Sequence, residues 1–160
     1  MSAIVLLDTS VYLNVLDVPG FNQDRGAVLD TFQAAIEAGD HFLLPLATVW
    51  ETGNHIADLG DGQTRRRHGK KLLEDVTKAF QGYAPYRATH FPDRDEFLRW
   101  LGDFPDAVMR SKSSHKLREG VSLADLSIIK EWERNCDLHP LSRVRIWSLD
   151  ADLAGYDRQP

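Results

Sequence analysis

Ala3-Ile-Val-Leu-Leu7-Asp8-Thr9-Ser10 is the stretch from which the rest of the chain can be read. Its continuous apolar run with β-branched Ile4 and Val5 predicts a short buried strand of the kind found inside parallel sheets. Asp8 stands at the carboxyl end of that strand, and a helix-like stretch follows with Val11, Leu13, Val15 and Leu16 as its apolar residues. Pro19-Gly20 breaks it.

The same alternation continues outward. Val28, Leu29, Phe32, Ala35 and Ile36 recur at helical spacing between about Gln23 and Ala38, with Gly39 as the stop. His41 to Leu44 predicts a second strand ended by Pro45, and Leu46 to Leu59 a helix through Val49, Trp50, Gly53 and Ile56. A basic helix is expected from about Gln63 to Gln81, with Leu72, Leu73, Val76, Ala79 and Phe80 inward. A short strand at Ala88 to Phe91 precedes a helix from Asp93 to Leu101 with Phe97, Trp100 and Leu101 inward. The stretch from Gly102 to Gly120 reads as a long loop or irregular helix, and Ser122 to Asn135 is helical through Leu123, Leu126, Ile129 and Trp132 or Ile128. Val144 to Leu149 is the last strand and runs straight into Asp150. Strands alternating with helices predict a small α/β fold around a largely parallel sheet. With 160 residues and no repeat or linker, a single domain over 1–160 is expected, its middle region at about 60–120 an extended helical and loop segment.

Composition narrows the setting. Apolar residues at 42% and charged residues at 27% describe a globular chain, not a disordered one. A lone cysteine, Cys136, excludes an internal disulfide framework and a multi-cysteine zinc site and fits a reducing cytoplasm. The first residues carry no basic segment and meet an acid at position 8, so no signal peptide is expected, and no apolar run approaches a bilayer span. The formal charge of −5 argues mildly against a nonspecific nucleic-acid coat, which makes the location of the acids the informative question.

Four acids stand out by position. Asp8 follows the first strand and Asp150 the last, and ligand crevices of open parallel sheets lie beyond the carboxyl ends of the strands. Glu51 lies in the helix after the second strand, and Asp125 in the first turn of the helix begun by Ser122. Carboxylates meeting at that edge repel one another unless a cation compensates them. Ordinary structural roles compete at each position: Asp8 as a helix N-cap, Asp125 as part of a Ser122 capping arrangement, Asp150 and Asp152 as turn residues, Glu51 as an exposed helical acid.

Leu-Leu-Asp8-Thr-Ser, Thr48-Val-Trp-Glu51, Ser122-Leu-Ala-Asp125 and Ile146-Trp-Ser-Leu-Asp150-Ala-Asp152 together resemble the PIN-domain nucleases, above all the VapC-type toxins of toxin–antitoxin systems. The resemblance covers nearly the whole chain in the family's order and is weakest between about Gly60 and Gly120. It implies a PIN-like three-layer α/β/α fold with a small, largely parallel central sheet. It also implies a catalytic cluster of Asp8, Glu51, Asp125 and Asp150 that holds Mg²⁺ or Mn²⁺, with Asp152 as a further metal-site acid. Thr9, Ser10 and Ser148 become supporting hydroxyls. The implied reaction is hydrolysis of RNA phosphodiester bonds, and the implied partners are a cognate antitoxin covering the cleft and a second copy of the chain. A noncatalytic PIN-like module that binds RNA or protein is the competing reading.

An acidic site acting on RNA needs basic residues nearby. Two runs qualify: Arg65 to Lys71, from which Arg65 is taken as an RNA contact, and the run from Arg110 to Arg118, from which Lys112, Lys116 and Arg118 are taken. Other motifs are weaker. The six histidines lack His-x-x-x-His spacing, and Gly60-Asp-Gly62 lacks the ending of a phosphate loop. His55, four residues after Glu51, falls on the same helix face. The four tryptophans sit at apolar periodic positions and are expected in the core, and Cys136 is expected to be inert.

Overall fold

The computed structural model describes residues 2–110, 117 and 119–160. Along them run β1 (Ala3–Leu7), α1 (Thr9–Val15), α2 (Arg25–Glu37), β2 (His41–Leu44), α3 (Leu46–Ala57), α4 (Gly62–Gln81) and β3 (Tyr86–Ala88). Then follow α5 (Arg94–Gly102), α6 (Phe104–Ala107), α7 (Leu123–Leu138), β4 (Arg143–Trp147), α8 (Ala151–Ala154) and β5 (Asp157–Arg158). Among the described residues the strands form one sheet in the order β3-β2-β1-β4-β5. β1 pairs in parallel with β2 and β4, β2 in parallel with β3, and β5 closes one edge antiparallel to β4. Arg143 holds that edge with Nε and Nη2 on the two carboxylate oxygens of Asp157, at 2.9 and 2.5 Å.

Every residue of β1 is buried, as its unbroken apolar run requires for a strand covered on both faces. Ala3, Val5 and Leu7 join Val11, Tyr12, Val28, Phe32 and Tyr86 in one core layer. Ile4 and Leu6 face the other way and join Ile128, Ile129, Val144, Ile146 and Leu153 beneath α7 and α8. The result is a three-layer α/β/α arrangement with β1 at its centre. Because β2 lies to one side of β1 and β4 to the other, the chain changes direction at β1, and the carboxyl ends of β1 and β4 open a crevice there.

The element boundaries follow the local signals closely. Gly39 adopts φ +84°, the left-handed conformation that ends α2. Ser122 caps α7, its Oγ accepting from the Asp125 backbone N–H at 3.0 Å. The inward faces of the middle region differ from those the periodicity predicts. In α4 the buried side chains are His68 and Ala79, with Leu72 and Val76 packed against the core, whereas Leu73 and Phe80 stand exposed. Asp75 explains the rotation of the helix. The Tyr12 hydroxyl donates to its Oδ2 at 2.5 Å, and the Tyr86 hydroxyl donates to the same oxygen. Burial drives both phenols far above their ordinary pKa, so they stay protonated and serve as donors.

No residue of α5 is buried, and Phe97 and Leu101 remain exposed, because this helix meets α6 and the outer side of α7 without entering either core layer. The third strand forms at Tyr86–Ala88 instead of Ala88–Phe91, since Tyr86 is the side chain the core accepts. Leu123 and Trp50 are exposed, contrary to expectation, while Trp147 is buried and Trp132 half-buried with its Nε1–H on the Val144 carbonyl at 2.9 Å. Cys136 is buried, and burial raises its thiol pKa, which fits an inert thiol. No described helix is long and apolar enough to cross a membrane.

Candidate functional site

The crevice at the ends of β1 and β4 is a cleft of about 360 Å³. Asp8, Thr9, Ser10, Glu51, Asp125, Asp150 and Asp152 all line it, so the four sheet-edge acids and Asp152 come together from four separate segments. Ser148 stands at the floor and touches Asp8. Of the proposed RNA contacts, Arg65 does not reach the cleft: its Nη1 donates to the Leu59 carbonyl at 2.5 Å. Lys112, Lys116 and Arg118 lie outside the described residues.

Asp8 occupies the N-cap position of α1 but makes no side-chain cap hydrogen bond, so simple capping does not account for it. Its Oδ2 accepts instead from Ser148 Oγ at 2.7 Å and Ser10 Oγ at 3.0 Å. Both hydroxyls go to one oxygen, so the other is the one available to a ligand. The same serines fix the loop after β4, Ser10 Oγ accepting from the Leu149 N–H and Ser148 Oγ from the Asp150 N–H, each at 3.0 Å. Asp150 thus hangs on the network that orients Asp8. Its own carboxylate makes no cap bond to α8 and stands exposed.

Glu51 is half-buried and accepts from Thr9 Oγ1 at 2.5 Å. Burial raises its pKa and the charges of Asp125 and Asp8 add to the rise, against the lowering effect of the Thr9 hydrogen bond. That opposition records three carboxylates close enough to repel. The helix carrying Glu51 is pinned by buried Thr48, whose hydroxyl donates to the Leu7 carbonyl at 2.7 Å, one residue before Asp8. This contact sets the spacing between the two acids.

Asn14, Phe21, Gln23, Asp24 and His55 also line the cleft and were not legible from the sequence as a group. Asn14 is buried, donates to the Ser10 carbonyl at 2.9 Å and accepts from the Asp24 N–H at 3.1 Å, tying α1 to the loop before α2. The Phe21 and His55 rings pack 4.5 Å apart between centroids and form one rim. Only the spacing of His55 from Glu51 signalled any of these.

The donors on offer are hard carboxylate oxygens, the type that suits Mg²⁺ and Mn²⁺ and not a soft metal. Among the described residues no three His, Cys, Asp or Glu side chains converge closely enough to hold an ion by themselves. Mg²⁺ does not require such a cage, since it keeps several waters and takes one or two carboxylates plus substrate phosphate.

Neither the family models nor the curated proteins compared with the sequence give a match. Among solved structures, the chain is similar to the crystal structure of FitAcB from Neisseria gonorrhoeae, with a TM-score of 0.54 over 92% of this chain and 88% of that one. Sequence identity is 18%, so the likeness is one of fold. It bears out the PIN-like α/β/α arrangement expected from the four acid-bearing segments.

Proposed function

We propose that this chain is a metal-dependent ribonuclease that hydrolyses RNA phosphodiester bonds, and that it serves as the toxin of a toxin–antitoxin pair. The observation that carries the first part is the convergence of Asp8, Glu51, Asp125, Asp150 and Asp152 on one cleft at the switch point of the sheet. The toxin part rests on the resemblance of those segments to VapC-type toxins, and the likeness of fold is compatible with it.

Mg²⁺ or Mn²⁺ bound among these acids would supply positive charge at the scissile phosphate and a water of lowered pKa. Asp8, with its orientation set by Ser10 and Ser148, and Asp125 or Asp150 are the residues assigned to hold it. Glu51, steered by Thr9, would complete that ligand shell or orient the attacking water. Asp152 completes the acidic wall. The cognate antitoxin and a second copy of the chain are the protein partners this reading implies.

Mapping the 5′ ends of cellular RNA after expression of the wild type and Asp8→Asn tests the reading, with new ends expected from the wild type alone. Identical maps would remove the nuclease assignment. One observation favours a second reading, a noncatalytic PIN-like module that binds RNA or protein: no three-ligand set is preformed among the described residues. Thermal melting with added Mn²⁺ separates the two, because an ion that binds only the folded protein raises its melting temperature.

A further inference from the structure

The first half of α4 is fastened to the segments that follow α3 and α1 and otherwise stands in solvent. Arg65 bonds to the Leu59 carbonyl just beyond α3, the helix that carries Glu51 and His55. Buried His68 places its ring nitrogens 3.0 and 3.2 Å from the carbonyl oxygens of Thr64 and Asp17, and the Asp17 loop leads to the cleft residue Phe21. On the outer side, Arg66, Arg67, Lys70 and Lys71 are exposed and line a shallow trough of about 540 Å³. The spacings 67/70, 66/70 and 67/71, three and four residues, put them in one stripe along the helix, those partners roughly 4.5–6 Å apart in rise.

This stripe is unfavourable for the free helix. Arg66 with Lys70 and Arg67 with Lys71 are like-charge pairs four residues apart, which destabilise a helix. Among the described residues none of the four takes part in an ion pair. A bound polyanion would relieve this repulsion.

We propose that this ridge is a docking track for the phosphate backbone of single-stranded RNA whose scissile bond lies in the cleft. The inference rests on the nuclease reading and adds where the substrate runs. RNA fits better than an acidic protein partner because the trough is lined by Gln63, the four cations and Glu74, with no apolar or aromatic side chain. A protein interface needs an apolar core, whereas phosphate contacts need none. The missing aromatics also exclude base stacking here, so the ridge contributes affinity without sequence preference. Arg65, held by Leu59, drops out of the contact set.

The test uses the full chain carrying Asp8→Asn to prevent cleavage, with a labelled oligouridine as probe and binding read by fluorescence anisotropy across a salt series. Arg66→Ala/Lys70→Ala and Arg67→Ala/Lys71→Ala are each expected to reduce the slope of log affinity against log salt by about 1.4, or ~0.7 for each lost phosphate contact. Their melting temperatures should stay close to the parent's, since all four side chains are exposed. Arg94→Ala/Arg99→Ala on α5 should leave the slope unchanged. RNA binding with a parental slope in both ridge variants overturns the ridge and leaves the nuclease reading standing. A parent protein that binds no oligouridine overturns the ridge, and the 5′-end maps decide the nuclease reading separately. Ridge-dependent binding of polyglutamate without binding of RNA overturns the proposal in favour of an acidic protein partner.

Discussion

The carboxylates at the strand-end cleft and those set among the helices are buried in different ways. Asp8 and Glu51 are each steered by hydroxyl donors, yet they line an open cleft beside other acids. Asp75 gives one oxygen to two tyrosine hydroxyls and serves as an internal tie between α4, α1 and β3. Glu131, in the middle of α7, is 3% exposed and neither of its side-chain oxygens has a hydrogen-bond partner. Burial alone therefore does not mark a functional acid. What distinguishes the cleft is that Asp8 and Glu51 are held by hydroxyl donors and line an open cavity together with Asp125, Asp150 and Asp152.

The largest effect should come from breaking this contrast at the cleft. Asp8→Asn is expected to reduce RNA cleavage by more than about 100-fold, beyond the ~10–100-fold typical of a residue that only supports a metal site. The folded state should lose little stability. Cleavage of a quenched fluorescent RNA in Mg²⁺, alongside a urea melt, measures both, and a variant retaining half its activity would break the distinction. Asp75→Ala should do the reverse. Leaving two buried hydroxyls without an acceptor costs about 2–4 kcal/mol of stability, while activity per folded molecule is retained.

Glu131 sharpens the contrast through pH. Burial pushes its carboxyl up to about 7, with His90 and Arg134 lowering it and Glu96 raising it. The folded state therefore binds this proton more tightly than the unfolded chain, whose carboxyl has the ordinary value near ~4.3. Its relative stability is greatest at low pH and declines as pH rises through that interval to about 7. Glu131→Gln should remove the decline and stabilise the protein at pH 8 by about 2–3 kcal/mol, with little change at pH 4. Denaturant midpoints across pH measure it, and parallel pH profiles for the two proteins would refute it. The smallest effect is at a supporting hydroxyl: Ser148→Ala should lower cleavage about tenfold by freeing Asp8 and the Asp150 loop. Full activity in that variant would show that Asp8 is oriented without it.

Much of this organisation was legible along the chain. The run Ala3 to Leu7 read as a buried strand, and Gly39, Pro45 and Ser122 carried local signals for the ends or starts of helices. Asp8, Asp125 and Asp150 were legible because each follows a strand or opens a helix, so its place is fixed by backbone geometry close in sequence, whereas Glu51 lies inside α3 and its spacing from Asp8 depends on the Thr48 contact with Leu7. The inward faces of α4 and α5 were not legible in the same way. Periodicity reports that a helix has an apolar side, but it says nothing of what the helix is set against. In α4 the acceptor needs of Tyr12 and Tyr86 turned Asp75 inward and left Leu73 and Phe80 outside. Trp50 misled for a related reason, since a large apolar ring at a helical position can also stand in solvent on an outer face.

The alternation of strands and helices and the acids at the sheet edge are written locally, because strand period, helix period and turn chemistry act over a few residues. Which groups share a cleft, and how they are held, depends on contacts between distant segments. Ser10 meets Ser148 across 138 positions, and Thr48 reaches back to Leu7 across 41. Such contacts depend on the order β2-β1-β4 and on the crevice it opens, which no local pattern encodes.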